Sequence, residues 1–121
     1  VALLRSVHSY LAQHPLGFGH WLCVLSFYLS TPREIAIVGP PDDPATRALA
    51  GTVHRRFLPH KVIAGRAPDD ERAARGIPLL QGRGMVDGRP TAYVCERNVC
   101  QLPVTEPEAL LKLLGGQEGA R

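Results

Sequence analysis

The 121-residue chain is 45% hydrophobic and 21% charged, with a net charge of +3, 12 Gly and 11 Pro. That balance suits one compact domain in the usual size range of about 100–150 residues, and it excludes a disordered chain, which needs low apolar content and high net charge. Three cysteines are too few for a disulfide-built scaffold.

The longest apolar-rich stretch, Leu16 to Leu29, is interrupted by His20 and falls short of the ~20 residues of a membrane span. No segment has the charged, apolar and small-residue order of a signal peptide. A cytoplasmic, reducing setting with free thiols is the expectation, with no membrane partner. The only methionine is Met85, and the chain opens Val1-Ala2-Leu3-Leu4 inside a helical pattern. A piece of a longer protein is therefore expected.

Residues 2–13 read as a helix, because Leu4, Val7 and Leu11 recur at helical spacing. His14-Pro15 ends it, since the residue before a proline avoids the helical region. A second helix is expected from Phe18 to Leu29. Trp21, Leu22, Cys23, Val24, Leu25, Phe27, Tyr28 and Leu29 leave it almost no polar face. A helix apolar all round is normally buried on all sides. This pair, residues 1–32, reads as the end of a larger helical domain. Left uncovered, the Phe18–Leu29 helix would be sticky, and a homodimer through it is expected.

After Thr31-Pro32-Arg33 the pattern changes to short apolar runs between helices. Glu34 to Gly39 reads as a strand apolar on both faces, as central parallel strands are. Asp43 suits a helix N-cap and Pro44 the first helical position, so a helix is expected over 44–57. Lys61 to Ala64 is the next strand, and together these make a βαβ unit. Asp69 to Arg75 suggests a short helix capped by Asp69. Ile77 to Leu80 should pack onto the core, and Asp87-Gly88 signals a turn. Thr91 to Cys95 reads as a third strand, with Val99 to Gln101 returning as a short antiparallel one. Thr105 and Glu108 have the spacing of a capping box, and a last helix should end at Gly115-Gly116. Residues 117–121 read as a frayed tail. The expected class is α/β: residues 33–116 form a small, mostly parallel sheet of three or four strands with flanking helices, preceded by the helical pair.

The basic residues are 12 Arg and 2 Lys. Their densest patch is Arg55-Arg56 with His60-Lys61. It suits a phosphate site less well than the negative end of a helix dipole. No aromatic residues interleave with the basic ones, so no nucleic-acid partner is expected.

Few residues suggest chemistry. A nucleotide would sit at the loop Gly39-Pro40-Pro41-Asp42-Asp43-Pro44. That loop lacks the glycine spacing of a phosphate cradle, its prolines remove donors, and its aspartates would repel phosphate. Gly39, Asp42 and Asp43 remain the candidate ligand loop, with no metal expected for want of a second ligand group. Cys95 and Cys100 stand five apart around a turn and could face each other across a hairpin. Three readings stay open for them: two structural thiols, a redox or disulfide pair, or half of a metal site. Cys23, in the apolar helix, should behave as a small hydrophobe. The five histidines form no zincin pattern, and no serine sits in a nucleophile elbow. No catalytic residue is assigned and no cofactor is implied.

Several blocks together carry a resemblance. They are Gly17 to Ser30, Pro32 to Gly39, Asp42 to Arg47, Arg56 to Val62 and Ala92 to Glu108. They resemble the C-terminal end of the thioredoxin-domain-containing family related to spermatogenesis-associated protein 20, across nearly the whole chain. The resemblance implies a parent with an N-terminal thioredoxin-like domain. A helical (α/α) toroid follows there, similar to that of sugar epimerases and glycosidases. This chain would hold only the end of the toroid and a small α/β module after it. The family's thioredoxin and sugar-site residues would lie outside the chain, and none is carried over. The partners implied are those missing parent domains.

Three functional expectations follow. The first is a non-catalytic structural and docking module. The second is a redox relay, with Cys95 and Cys100 exchanging with the parent's thioredoxin-like domain. The third is a small-ligand site at the carboxyl ends of the strands, near Gly39, Gly65 and Cys95.

Overall fold

The computed structural model describes residues 1–115. Gly116 and the tail expected at 117–121 lie outside the described residues. The chain divides into two compact units, Val1–Pro32 and the remainder from Arg33.

The first unit is a helical pair. Helix α1 spans Ala2–Gln13, a 3-10 turn spans Pro15–Phe18, and helix α2 spans Gly19–Leu29. Pro15 stops α1 as expected, and the His14 N–H closes the last turn on the Tyr10 carbonyl at 2.8 Å. The rings of Tyr10 and Phe18 stack across the bend, centroids 6.2 Å apart. Leu11 is buried in α1, whereas α2 contains no buried residue. Val24, Phe27, Tyr28 and Leu29 are all exposed. The reason is geometric. One neighbouring helix covers one stripe, and a helix apolar all round has further stripes that stay uncovered.

The second unit opens with strand β1, Arg33–Val38, helix α3, Pro44–Arg55, and strand β2, Lys61–Arg66. The short helix α4, Glu71–Gly76, leads to a 3-10 turn over Pro78–Leu80. Strands β3, Thr91–Glu96, and β4, Val99–Cys100, then precede helix α5, Pro107–Gly115. The sheet order is β2-β1-β3-β4. Only β1 and β2 are parallel, from Arg33↔Lys61 to Val38↔Arg66. Strand β3 runs antiparallel to β1, from Glu34↔Cys95 to Val38↔Thr91, and β4 antiparallel to β3.

The class is α/β, but the expected mostly parallel sheet is corrected to a mixed one. The two connections differ in the helices they carry. Helix α3 has 12 residues, or about 18 Å at 1.5 Å per residue. That is enough to travel back along a six-residue strand and begin another in the same direction. Helix α4 has only six residues, or about 9 Å. The segment between Arg66 and Thr91 instead passes over the other face, brings Arg83 to the Cys95 and Cys100 sulfurs at the far end, and returns, so β3 starts at the end where β2 finished.

Side chains alternate across the strands. Ile35, Ile37, Ala92 and Val94 face α3 and α5, where Leu49, Val53, Leu110 and Leu114 complete the core. The opposite face carries Ala36, Val38, Thr91, Tyr93 and Cys95, on the side of the 3-10 turn that buries Leu80. Arg33 is buried at the start of β1 and donates to the carbonyls of Leu113 and Leu114. It thereby satisfies carbonyls that the last turn of α5 leaves without helical partners.

Two cap positions move by one residue. Asp70, not Asp69, caps α4, its Oδ1 accepting from the Ala73 N–H at 2.9 Å. In α5 the first helical bond runs from the Leu110 N–H to the Glu106 carbonyl, making Glu106 rather than Thr105 the cap position. Its carboxylate is paired with Arg89 at 2.9 Å. Among the described residues, no helix is long and apolar enough to cross a membrane.

Candidate functional site

The site begins with a turn. Arg97 and Asn98 have φ of 49° and 65°, the left-handed pair of a two-residue type I′ hairpin. Such a turn sets the register of the strands it joins. Glu96 pairs with Val99, and Cys95 with Cys100. One step further the Gln101 N–H donates to the Val94 carbonyl at 2.9 Å. Cys95 and Cys100 thus occupy a non-hydrogen-bonded position, where opposed residues approach most closely. Their Cα atoms are 3.9 Å apart and their sulfurs form a disulfide. Neither is the free thiol that the reducing-compartment argument assumed. The free cysteine is Cys23. It is exposed on α2, not buried as expected, because that side of the helix has no cover.

The two sulfurs differ in environment. Cys95 is 1% exposed, on the central strand β3, whereas Cys100 is exposed on the edge. A guanidinium bridges them. Arg83 Nη2 is 2.9 Å from Cys100 Sγ and 3.4 Å from Cys95 Sγ.

Arg83 is held from several sides. Its Nη1 donates to the carbonyls of Leu79 and Gln81. The guanidinium lies 5.7 Å over the ring of Tyr93, whose own hydroxyl donates to the Gly84 carbonyl at 2.7 Å. Arg66, at the end of β2, donates through Nη2 to the Arg83 carbonyl at 2.6 Å and through Nη1 to the Pro68 carbonyl at 2.9 Å. Among the described residues, no carboxylate lies within ion-pair distance of Arg83. A cation with no carboxylate partner among the described residues thus rests on two neutral sulfurs. A disulfide sulfur is a weak acceptor, whereas a thiolate is a strong, charge-assisted one. The pocket is better matched to the reduced pair than to the oxidised one.

The candidate ligand loop is organised differently. Asp43 caps α3, Oδ1 accepting from the Ala45 N–H at 2.8 Å. Asp42 pairs with Arg47 at 3.2 Å in solvent. The Gly39 N–H donates to the Arg66 carbonyl at 3.1 Å. Pro90 and Thr46 close over Gly39 so tightly that a Cβ there would stand 2.8 Å from Pro90 Cβ. The grouping of Gly39, Gly65 and Cys95 at one end of the sheet is corrected by the direction of β3. Gly65 pairs near the end of β1, while Cys95 pairs with Glu34 at its beginning. Arg55 and Arg56 line a cleft of about 220 Å³ with Thr52, Pro107, Glu108 and Leu111. Among the described residues, no cluster of three or more His, Cys, Asp or Glu could hold a metal ion.

Arg83 and Tyr93 are the residues that sequence reasoning missed. The hairpin brings Cys95 and Cys100 together within five positions, and that pairing has a local signal. Arg83 arrives from a loop 12 and 17 positions away, and nothing local in Gly82-Arg83-Gly84 points to sulfur.

Comparison with known proteins places the chain beside part of a larger one. It is 31% identical over 115 residues to spermatogenesis-associated protein 20 of Rattus norvegicus. The same identity holds for the proteins of that name from Mus musculus and Homo sapiens. Each match covers 94% of this chain but only 15% of the relative. The chain thus spans about 15% of the length of the curated relatives it matches. No family model and no solved structure matches.

Proposed function

We propose that this chain is a non-catalytic C-terminal α/β module of a larger protein, and that its helical pair is the surface by which it docks. The observation that carries this reading is α2, apolar around its circumference with no buried residue. An apolar groove of about 460 Å³ on the pair, lined by Leu4, Trp21, Val24, Phe27 and Tyr28, adds to it. Exposed apolar patches of this kind mark surfaces that are covered by a partner. The occupant in this reading is further helices of the same longer chain. A match to only 15% of the curated relatives supports it. The parent would supply the thioredoxin-like domain and (α/α) toroid that the resemblance implies, in a cytoplasmic setting.

Hydrogen exchange tests the reading. The amides of 19–29 are expected to exchange at least tenfold more slowly in the longer chain than in the 121-residue chain, because covering a helix raises its opening free energy. Equal exchange in both would overturn it. So would protection that depends on protein concentration alone, which would make a second copy the occupant.

A further inference from the structure

We propose that, in addition to docking, the module carries a stoichiometric thiol–disulfide exchange site at Cys95 and Cys100, with Cys100 the sulfur that is attacked and Arg83 the cation that receives the released thiolate.

Three observations converge on this. The pair is one step from a two-residue turn, and its bond ties the short edge strand β4 to β3, whereas β1 and β3 are joined by a ladder of their own. The sulfurs are unequal, Cys95 buried at 1% and Cys100 exposed. Exchange needs access to one sulfur and a stabilised leaving group at the other, and the two environments divide those roles. The Arg83 guanidinium contacts both sulfurs, at 2.9 and 3.4 Å, and is held there by backbone carbonyls and by the Tyr93 ring. A purely structural disulfide is neutral and gains little from a fixed cation. A thiolate beside an arginine forms more readily at neutral pH.

The step balances with a dithiol as the co-reactant. One thiolate of the dithiol attacks Cys100 Sγ, forming a mixed disulfide. The bond between the cysteines breaks, and its electron pair leaves on Cys95 Sγ, beside Arg83. The second thiol of the dithiol loses its proton to solvent. Its sulfur then attacks the dithiol sulfur of the mixed bond, and Cys100 leaves as a thiolate. Two electrons have passed. The dithiol ends as a disulfide and the chain holds two reduced cysteines, protonated according to pH. An incoming disulfide runs the same steps in reverse.

Dithiothreitol serves as the probe, with reduction followed by mass spectrometry. The Arg83→Met variant is expected to be reduced about tenfold more slowly than the unaltered chain, the size of one charge-assisted contact to a sulfur. Arg83→Lys should recover part of that loss. A monothiol probe should be trapped on Cys100 and not on Cys95. A measurement on the unaltered, fully reduced chain stands independent of any variant's folding. Cys23 is exposed and serves as an internal reference. At pH 7, iodoacetamide should label Cys100 several-fold faster than Cys23, because the thiolate is the reacting form. The proposal is overturned by equal reduction rates with and without Arg83, by trapping on Cys95, or by Cys100 labelling no faster than Cys23. A chain in which the pair cannot be oxidised would overturn it equally.

Discussion

Arg33 shows how one side chain can join distant parts of the second unit. It begins β1, yet it donates to the carbonyls of Leu113 and Leu114 at the end of α5 and pairs through Nε with Glu96 at 3.4 Å. Most of its side chain is out of water, whereas that of Glu96 is more than one-third exposed. The value of the residue therefore lies in the carbonyls it satisfies more than in the ion pair. Arg33→Met should lower stability by about 1–3 kcal/mol, the cost of leaving buried polar groups without partners. Glu96→Gln should cost under about 1 kcal/mol, as partly exposed ion pairs do. Urea midpoints of the two variants check the ratio, and equal losses would reverse the assignment. The sequence showed Arg33 only as a boundary residue after Thr31-Pro32. Its partners lie some 80 positions away, beyond any local pattern.

At the scale of elements, two tight turns govern the strand pairings around the candidate site. Asp87 and Gly88, with φ of 51° and 67°, close a bridge between Val86 and Arg89. Arg97 and Asn98 close the disulfide hairpin. Both need two left-handed residues in succession, which an L side chain resists by about 1–2 kcal/mol. Gly88→Ala and Asn98→Val should each destabilise by about that amount, read from thermal or urea unfolding. Asn98→Val should also slow re-formation of the Cys95–Cys100 disulfide from the reduced chain, because the register depends on that turn. Both turns were legible in the sequence, the first from Asp-Gly and the second from polar residues between two apolar runs. The arginine over the hairpin was not, because a loop residue's tertiary partner leaves no trace in its neighbours.

At the scale of the molecule, the core of the second unit is self-contained. Its buried members run from Ile35 to Leu114, on β1, α3, β3 and α5. Residues 33–121 alone should therefore unfold cooperatively in urea, with a midpoint close to that of the whole chain. Loss of cooperativity would show that the helical pair completes the core.

The sequence by itself determined what depends on neighbours a few positions apart. That covers where helices start and stop to within a residue or two, which strand residues alternate toward a core, where the chain turns, and that Cys95 and Cys100 can meet. It also showed, through the unbroken apolar circumference of 18–29, that one helix needs more cover than its pair supplies. Only the tertiary structure decided the direction of β3, because an apolar pattern such as Ala92-Tyr93-Val94 reads the same up or down a sheet. The connection before it carries only α4 and a 3-10 turn, with no full-length crossover helix, and it runs over the face to Cys95 and back. That reversal sends the disulfide to the opposite end of the sheet from Gly39, and it lays the loop bearing Arg83 across the Tyr93 and Cys95 face. Hydrogen bonds and contacts between residues far apart in the chain are chosen by such returns, and no local spacing encodes them.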